Sequence, residues 1–275
     1  MKVAVIFCCY NRKSMTKRCL EQLYEQTAGL EGYTFQVYVC DDHSDDGTTE
    51  MIEKDFPDVC LLKSGGNLYW CKSMHMAMNS AKEDDYDVYI MINDDVDFDK
   101  CALHIMLDSY NKAGAGCGIV GAVKAVSEEV CTYGGRNKDG KLIEPNGDLQ
   151  ECEWTNWNCF LIDRTVVEKI GIIDDKYRHA WGDFDYSFRM RKAGFKIYVA
   201  ADYVGRCDVN SNKGSYKDQT VAKKIRLKKL FGPKGMPFGS YMRYHIRVFG
   251  KTGILKYLYG YGSLIGYILM GKEIR

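Results

Sequence analysis

The sequence predicts an α/β fold, in which a mainly parallel β-sheet is flanked by helices and joined by a small β-rich region and a C-terminal helical extension. Three observations predict it. Short apolar runs alternate with helical patterns over the first half of the chain. The runs show little polar alternation, which is typical of strands covered on both faces. Turn dipeptides crowd the middle of the chain. After about residue 215 the composition becomes basic and rich in tyrosine and leucine.

The elements follow in a regular order along the chain. The predicted strands of the first half are residues 3–8, 35–40, 59–62, 88–92 and 118–123, and the helices between them are residues 14–27, 48–56, 69–81 and 100–113. Residues 124–152 carry Gly-rich turn signals and predict short extended pieces. A strand at 154–162, a helix at 183–192 ended by Gly194 and a last strand at 197–200 complete the prediction.

Bulk composition excludes several classes of protein. The chain has 275 residues, of which 46% are hydrophobic, so it can bury a sizeable core and is not a disordered chain. A formal net charge of +1 gives no indication of a nucleic-acid partner. Twelve cysteines without CxxC pairs favour free thiols in a reducing cytosol over a disulfide framework. The apolar N-terminus is too short for a signal peptide, and we therefore expect a cytoplasmic protein.

Two polar loops directly follow the first and second predicted strands. They are Tyr10-Asn11-Arg12 and the acidic segment 41–48. Ligands of open α/β sheets bind at the carboxyl ends of the strands, where an aspartate accepts hydrogen bonds from ribose hydroxyls or base N–H groups. The alternative is a turn and helix cap, which suits Asp46 and Thr48 better than the adjacent pair Asp41 and Asp42.

A third loop, residues 93–97, concentrates carboxylates after the fourth strand. Its three acidic residues are Asp94, Asp95 and Asp97. Carboxylates so close together repel one another unless a cation neutralises them, and Mg²⁺ or Mn²⁺ prefers oxygen ligands together with substrate phosphates. We expect a divalent metal here, with Asp95 and Asp97 as candidate ligands. A solvated acidic turn is the alternative.

The fourth loop opens the helix at 183–192. Asp183 lies at its N-terminal end, and Asp185 is spaced to pair with Arg189 along one face. Because the two aspartates cannot point the same way, Asp183 is predicted to serve the site while Asp185 is held by Arg189. An ordinary helix cap is the alternative for Asp183. Together the four loops predict a nucleotide site with a metal for the departing phosphates and a separate base for an attacking hydroxyl.

At this point the sequence resembles the family 2 glycosyltransferases, of the GT-A fold and the nucleotide-diphospho-sugar transferase superfamily, over residues 1–208. The resemblance rests on the first strand with its Tyr-Asn signature, on DDHSDDGT at 41–48, on NDDV at 93–96, and on WGDFDYSFR at 181–189 followed by KAGF at 192–195. It implies a donor site made of Cys8, Tyr10, Asn11, Arg12, Asp42, Asn67, Trp70 and Asp94. It also implies that Asp95 contacts the metal and that Asp183 is the catalytic base; Trp70 could instead belong to the core.

The resemblance further implies a metal-dependent, hexosyltransferase-type enzyme that inverts the anomeric carbon. Its expected donor is a UDP- or dTDP-sugar, and its acceptor is a glycan or lipid-linked hydroxyl in cell-surface polysaccharide or glycan synthesis. Many relatives carry a metal-binding histidine after the last strand, whereas this chain has Cys207 and Asp208 there. A non-catalytic sugar- or nucleotide-binding protein therefore stays open. A nucleotidyltransferase is disfavoured because the loop after the first strand has no glycine.

Two further regions leave alternatives open. Trp154 and Trp157 are expected on the acceptor side, one buried and one exposed. Residues 1–215 are predicted to be the catalytic domain and residues 216–275 a basic, aromatic helical extension. The extension could bind the inner face of a membrane as an amphipathic element, pack on the catalytic domain, or pack on a second subunit in a homodimer.

Overall fold

The computed structural model describes residues 1–274 of the chain. A mixed ten-stranded sheet forms the centre of this structure. The strands within that range are β1 Lys2–Cys9, β2 Thr34–Asp41, β3 Cys60–Lys63, β4 Val88–Ile92, β5 Asp97–Phe98, β6 Cys117–Lys124, β7 Cys131–Tyr133, β8 Gly135–Arg136, β9 Gln150–Glu151, β10 Trp154–Thr155, β11 Cys159–Asp163 and β12 Lys196–Arg206. The main path through the sheet is β3-β2-β1-β4-β11-β6-β12-β5. Strands β3, β2, β1 and β4 are parallel, β12 is parallel to β6, and β11 runs antiparallel between β4 and β6.

Helices cover both faces of this sheet and continue beyond it. They are α1 Lys13–Thr27, α2 Thr48–Asp55, α3 Tyr69–Ala81, α4 Ala102–Ala113, α5 Arg164–Ile170, α6 Gly182–Lys192, α7 Lys223–Leu230, α8 Phe238–Phe249 and α9 Gly253–Met270. Within residues 1–274, no helix combines the length and the apolar character needed to cross a lipid bilayer.

Strand β1 shows why the apolar runs are continuous. Its residues alternate between two hydrophobic cores: Val3 and Val5 pack in the core under α1 and α4, whereas Ala4 and Ile6 pack in the core under α3 and α6. All four are fully buried. A strand that is covered on both faces has no solvent face, so polar alternation is lost. The predicted α/β fold with a mainly parallel sheet is confirmed.

The structure departs from the predicted elements near the middle of the chain. The single strand expected at 154–162 is two strands: β10 pairs with β8 in a separate two-stranded sheet, and β11 enters the main sheet. The chain leaves the extended path at residues 156–158, whose side chains line a cleft. An apolar run therefore indicated burial correctly but could not indicate which sheet each half would join.

The C-terminal helices have a small hydrophobic core of their own and also touch the rest of the protein. Leu230, Tyr241, Tyr257, Tyr261 and Ile268 are buried against one another, with Trp181 packed against them. Helix α8 lies against α6. One face of the extension thus packs on the preceding fold. All twelve cysteines are free in the structure.

Candidate active site

A cleft of about 680 Å³ opens where the parallel strands end. Strands β1, β2 and β4 end at residues 9, 41 and 92, and the residues that follow them line the cleft. This is where open α/β sheets bind ligands. Of the predicted site residues, the cleft brings together Cys8, Tyr10, Arg12, Asp42, Asn67, Trp70, Asp94, Asp95 and Asp183.

The loops around the cleft contain backbone conformations that residues other than glycine rarely adopt. Positive φ angles occur at five non-glycine residues of the described chain: Asn11, His43, Asn67, Tyr69 and Trp181. Asn11 lies in the loop after β1, and the other four line the cleft directly. Such conformations cost of order 1–3 kcal/mol each and persist only where the surroundings over-determine them. Four of these five residues thus shape the cleft wall.

Asp42 fixes the loop between β3 and α3. Its carboxylate is almost fully buried and accepts hydrogen bonds from Ser64 Oγ at 2.7 Å, Leu68 N at 3.0 Å and Tyr69 N at 2.9 Å. The last two are free backbone N–H groups at the start of a helix, which an acidic side chain satisfies well. Asp42 thereby holds Asn67 and Tyr69 in the cleft wall.

Arg12 joins two of the acidic residues after β4. Its Nη1 donates to Asp94 Oδ1 at 2.9 Å and to Asp95 Oδ2 at 3.1 Å. Thr16 Oγ1 donates to the other oxygen of Asp94 at 3.0 Å. Burial raises the pKa of Asp94, and the charge of Arg12 opposes that rise. Both oxygens of Asp94 thus accept hydrogen bonds from protein side chains, and the bond from Arg12 fixes the position of that guanidinium.

Asp95 differs from Asp94 in having an oxygen to spare. Its side chain is 23% exposed, and its Oδ1 is a buried atom without a hydrogen-bond partner among the described residues. An unpartnered buried oxygen is costly unless a ligand completes it. Asp95 is therefore the carboxylate in this loop that is able to accept a cation.

Asp97 and Asn11 lie outside the cleft lining. Asp97 begins β5, and its Oδ1 accepts a hydrogen bond from Gln22 Nε2 at 2.7 Å. The structure does not bring it to the cleft beside Asp95, and its role as a metal ligand stays a prediction. Asp97 is the first residue of β5, which pairs with β12, whereas Asp95 lies in the turn before that strand. Asn11 Oδ1 accepts from Asp45 N at 2.9 Å and ties the first two loops together.

A divalent metal fits this site only with help from the substrate. Among residues 1–274, no group of three or more His, Cys, Asp or Glu side chains is arranged to hold a metal ion. Mg²⁺ and Mn²⁺ are commonly held by one or two carboxylates plus substrate phosphates, rather than by a protein cage. The free oxygen of Asp95 matches that mode of binding. Cys207 also lines the cleft, whereas Asp208 is exposed and accepts from Val126 N at 2.8 Å.

Asp183 stands apart from the acidic pair at the start of α6. Burial raises the pKa of its carboxyl to about 6, although the backbone N–H groups of Phe184 and Asp183 and the side chain of Asn156 lower it. Phe184 N donates to its Oδ1 at 2.9 Å. A carboxylate with a pKa just below neutrality is mostly ionised at pH 7 and still basic enough to receive a proton.

Asp185 has the structural role predicted for it. It is fully buried, and it accepts from Arg189 Nε at 2.9 Å and from Tyr177 Oη at 2.8 Å. The pairing with Arg189 is confirmed. Arg247 of α8 is a third partner that the sequence did not indicate, because it is 62 residues away along the chain.

Aromatic side chains form the floor of the cleft. Trp157 is buried, and its ring stacks on Phe160 at 5.3 Å and meets Trp70 edge-on at 5.9 Å. Trp70 Nε1 donates to Asn93 Oδ1 at 2.8 Å. Trp70 therefore both packs against the core and lines the cleft. Of the two tryptophans expected on the acceptor side, Trp157 is buried and Trp154 is partly exposed.

Three cleft residues, His179, Trp181 and Lys234, were given no role in the site by sequence reasoning, although Trp181 lies in the motif at 181–189. His179 lies beside Trp181, and its burial, together with the positive charges of Lys234 and Arg12, lowers its pKa to about 4. Lys234 comes from the connector between α7 and α8, where a single lysine among glycines and prolines carried no signal. Nδ1 of His179 and Nε1 of Trp181 are buried without partners among the described residues. These atoms point to a polar ligand in the cleft.

Comparison with solved structures finds the same fold in several sugar transferases. TarS residues 1–349 from S. aureus in complex with UDP-GlcNAc is 14% identical, with a TM-score of 0.55 over 100% of this chain and 93% of that chain. The mannosyltransferase PcManGT from Pyrobaculum calidifontis in complex with GDP-Man and Mn²⁺ is 15% identical, with a TM-score of 0.56 over 98% and 73% of the two chains. Sequence comparison with curated proteins finds no match.

The mainly parallel sheet, with β11 antiparallel between β4 and β6, has the GT-A fold of these sugar transferases. The family model of glycosyl transferase family 2 matches residues 4–178, and the chain belongs to that family.

Proposed function

We propose that this protein transfers a sugar from a nucleoside-diphosphate sugar to an acceptor hydroxyl with inversion at the anomeric carbon. The observation that carries the proposal is the separation of roles in the cleft. Asp183, with its pKa raised to about 6, lies at the start of α6, while Asp94 and Asp95 after β4 are bridged by Arg12, and Asp95 keeps an oxygen for a cation. One wall thus offers a base, and the other offers a centre for a negatively charged leaving group.

The acceptor hydroxyl attacks the anomeric carbon and gives its proton to the carboxylate of Asp183. A new carbon–oxygen bond forms as the bond from the anomeric carbon to the phosphate oxygen breaks. The electron pair leaves with the nucleoside diphosphate. The N–H of Phe184 donates to Oδ1 of Asp183 and orients this carboxylate at the start of α6.

Positive charge for the departing diphosphate comes from two protein side chains. Arg12 and Lys234 both line the cleft, and the charge of each lowers the pKa of His179. Lys234 is exposed and makes no salt bridge among the described residues. A divalent metal held by Asp95 and by the diphosphate would add Lewis-acid neutralisation when bound. Of Mg²⁺ and Mn²⁺, the latter accompanies GDP-Man in the mannosyltransferase relative.

The nucleoside is proposed to lie toward the ends of β1 and β2, beside Cys8, Tyr10 and Asp42. Asn67 and Trp70, in the segment that Asp42 holds, would contact the diphosphate or the sugar. The donor class that we propose is a UDP- or dTDP-sugar, of hexosyl type, for cell-surface polysaccharide or glycan synthesis. Burial raises the pKa of the Cys8 thiol, which therefore contacts the nucleoside as a neutral group.

A release assay tests the proposal. The purified chain is incubated with UDP- and dTDP-sugars, with Mn²⁺, and with or without a panel of sugar and lipid-linked acceptors, and free nucleoside diphosphate is measured. We expect release that depends on one donor and one acceptor and is lost in Asp183→Asn. Tight donor binding without release for any acceptor, or equal release by Asp183→Asn, would instead support a non-catalytic binding protein or another base.

A further inference from the structure

Charge is distributed unevenly along this nearly neutral chain. Residues 216–275 contain 13 lysines and arginines against two acidic residues, whereas residues 1–215 contain 25 against 35. The extension is therefore strongly basic and the preceding part strongly acidic. Such asymmetry within one chain indicates an anionic partner for the basic part.

Helix α8 carries an apolar stripe that faces solvent. Phe238, Met242, Ile246 and Phe249 are 58%, 38%, 40% and 38% exposed. Their spacing of four, four and three residues places them on one side of the helix. The opposite side is already occupied, because Tyr244 packs on Trp181 with ring centroids 4.7 Å apart. Helix α8 is thus held by one face, and its other face is apolar and uncovered.

Helix α9 adds further exposed apolar side chains to the same region. Leu255, Leu258 and Tyr259 are 70%, 57% and 79% exposed. Lys256 Nζ lies 3.6 Å from the ring centroid of Phe249, so the α9 surface continues the α8 stripe, with a lysine between them. Lysines whose stems cover apolar surface and whose charge stays in water are typical of elements that lie at a membrane surface.

Helix α7, which is rich in lysine, lies beside the exposed apolar side chains of α8 and α9. Lys223 Nζ donates to Leu269 O at 2.6 Å near the end of α9, and Phe231 just after α7 lies 6.4 Å from Phe238 in ring-centroid distance. Lys224 and Lys228 of α7 are exposed. The apolar side chains of α8 and α9 are therefore bordered by lysines along α7.

We propose that this surface of α7, α8 and α9 docks on an anionic lipid bilayer. Lipid headgroups complement the lysines, and the acyl region accepts the exposed aromatic and aliphatic side chains. A second copy of the chain would instead bring two surfaces of equal positive charge together, which is unfavourable. A nucleic acid would match the lysines but leave the apolar stripe of α8 in water.

Docking here places the cleft beside the membrane. Lys234 lines the cleft, and the exposed rings of Phe231 and Phe238 stand three residues before it and four after it. The cleft wall and the docking surface are thus formed by one short segment. The consequence for the acceptor rests on the proposed function. If the protein transfers a sugar, an acceptor anchored in lipid would reach Asp183 from the side that faces the membrane.

Sedimentation with lipid vesicles tests the docking surface in the full chain. The probes are vesicles of phosphatidylcholine alone and of phosphatidylcholine mixed with phosphatidylglycerol, at low and high salt. We expect binding to the anionic vesicles only, weakened by salt. The double variant Lys224→Gln/Lys228→Gln should lower the partition coefficient onto anionic vesicles about thirtyfold, because each lysine near such a surface contributes about 1 kcal/mol.

Two further variants make the result specific. Leu255→Ser/Leu258→Ser/Tyr259→Ser should also weaken binding, and Lys138→Gln/Lys141→Gln, which removes the same charge from the exposed turn after β8, should not. Thermal unfolding checks that each variant is folded. Equal binding to both vesicle types, no binding to either, a dimer that the triple variant abolishes, or lysine-dependent binding of nucleic acid instead of vesicles would each overturn the proposal. None of these results depends on sugar transfer.

Discussion

Arg247 of α8 holds Asp185 of α6 from behind the cleft. Its Nη1 lies 2.7 Å from each carboxylate oxygen of Asp185, and its Nη2 donates to Asp174 at 3.0 Å. Asp185 is fully buried and stands two residues after Asp183. The C-terminal extension is therefore fastened to the helix that presents the proposed base, and its position affects the geometry of the cleft.

Removing this ion pair should destabilise the protein. Arg247→Ala leaves a buried carboxylate with fewer partners, and we expect a loss of about 2 kcal/mol or more in the free energy of unfolding. The measurement is denaturant unfolding of the full chain. Lys251→Ala, which removes an exposed charge from the turn after α8, is the matched control. If the two variants unfold alike, the pair does not hold the extension in place.

Asp183→Asn should lower kcat by about 10²–10⁴-fold, the usual contribution of a positioned proton acceptor. The donor contacts lie on other elements, so the affinity for the nucleoside-diphosphate sugar should change little. Steady-state turnover and calorimetric binding measure the two effects. Asp175→Asn, an exposed change in the loop before α6, serves as the control. A variant with wild-type turnover would exclude Asp183 as the base.

The raised pKa of Asp183 predicts opposite effects of pH on activity and stability. The base must be ionised, so kcat/KM should rise as pH increases through about 6. Because its pKa is higher in the folded state than in the unfolded state, Asp183 lowers stability progressively as pH rises from about 4 to about 6, and the full loss persists above pH 6. Asp183→Asn should therefore raise Tm at pH 7.5, and this gain should vanish near pH 3.5, where Asp183 is protonated in both states. A gain in Tm that is independent of pH would contradict this assignment.

Substitutions of Asp95 and Asp97 form a matched pair of variants that tests which carboxylate binds the metal. We expect Asp95→Asn to abolish the Mn²⁺-dependent part of nucleoside-diphosphate binding, because it removes the carboxylate that has a free oxygen. Asp97→Asn should retain it, since its partner is Gln22. Thermal shift with nucleoside diphosphate, with Mn²⁺ or with chelator, measures both. Equal losses in the two variants would return Asp97 to the site.

Lys234→Ala should weaken binding of the nucleoside diphosphate product and lower kcat by about tenfold, because a cation is lost where leaving-group charge develops. It should also raise the pKa of His179, whose protonation Lys234 opposes. Product inhibition measures the first effect, and titration of the His179 resonance by NMR measures the second. Lys138→Ala, an exposed lysine far along the chain, is the control. Unchanged inhibition and an unchanged His179 titration would remove Lys234 from the cleft.

Local patterns were sufficient to predict most of the catalytic fold. Residues 3–8 and 88–92 are apolar without alternation, and this can arise only where both faces of a strand are covered. Because parallel strands end at one edge, the polar residues that follow them had to meet there, and Arg12, Asp42 and Asp95 do. The pairing of Asp185 with Arg189 followed from helical spacing alone.

What the sequence by itself determined was the set of elements, the edge at which the cleft opens, and the residues near each strand end. Tertiary structure alone decided which carboxylates keep a free oxygen: Asp95 does, while Asp94 is engaged by Arg12 and Thr16, and Asp97 is turned to Gln22. It alone brought Lys234 and Arg247 to the catalytic region from the far end of the chain. The physical reason is that spacing along one element fixes neighbours within a few residues, whereas contacts between distant segments depend on how whole elements pack.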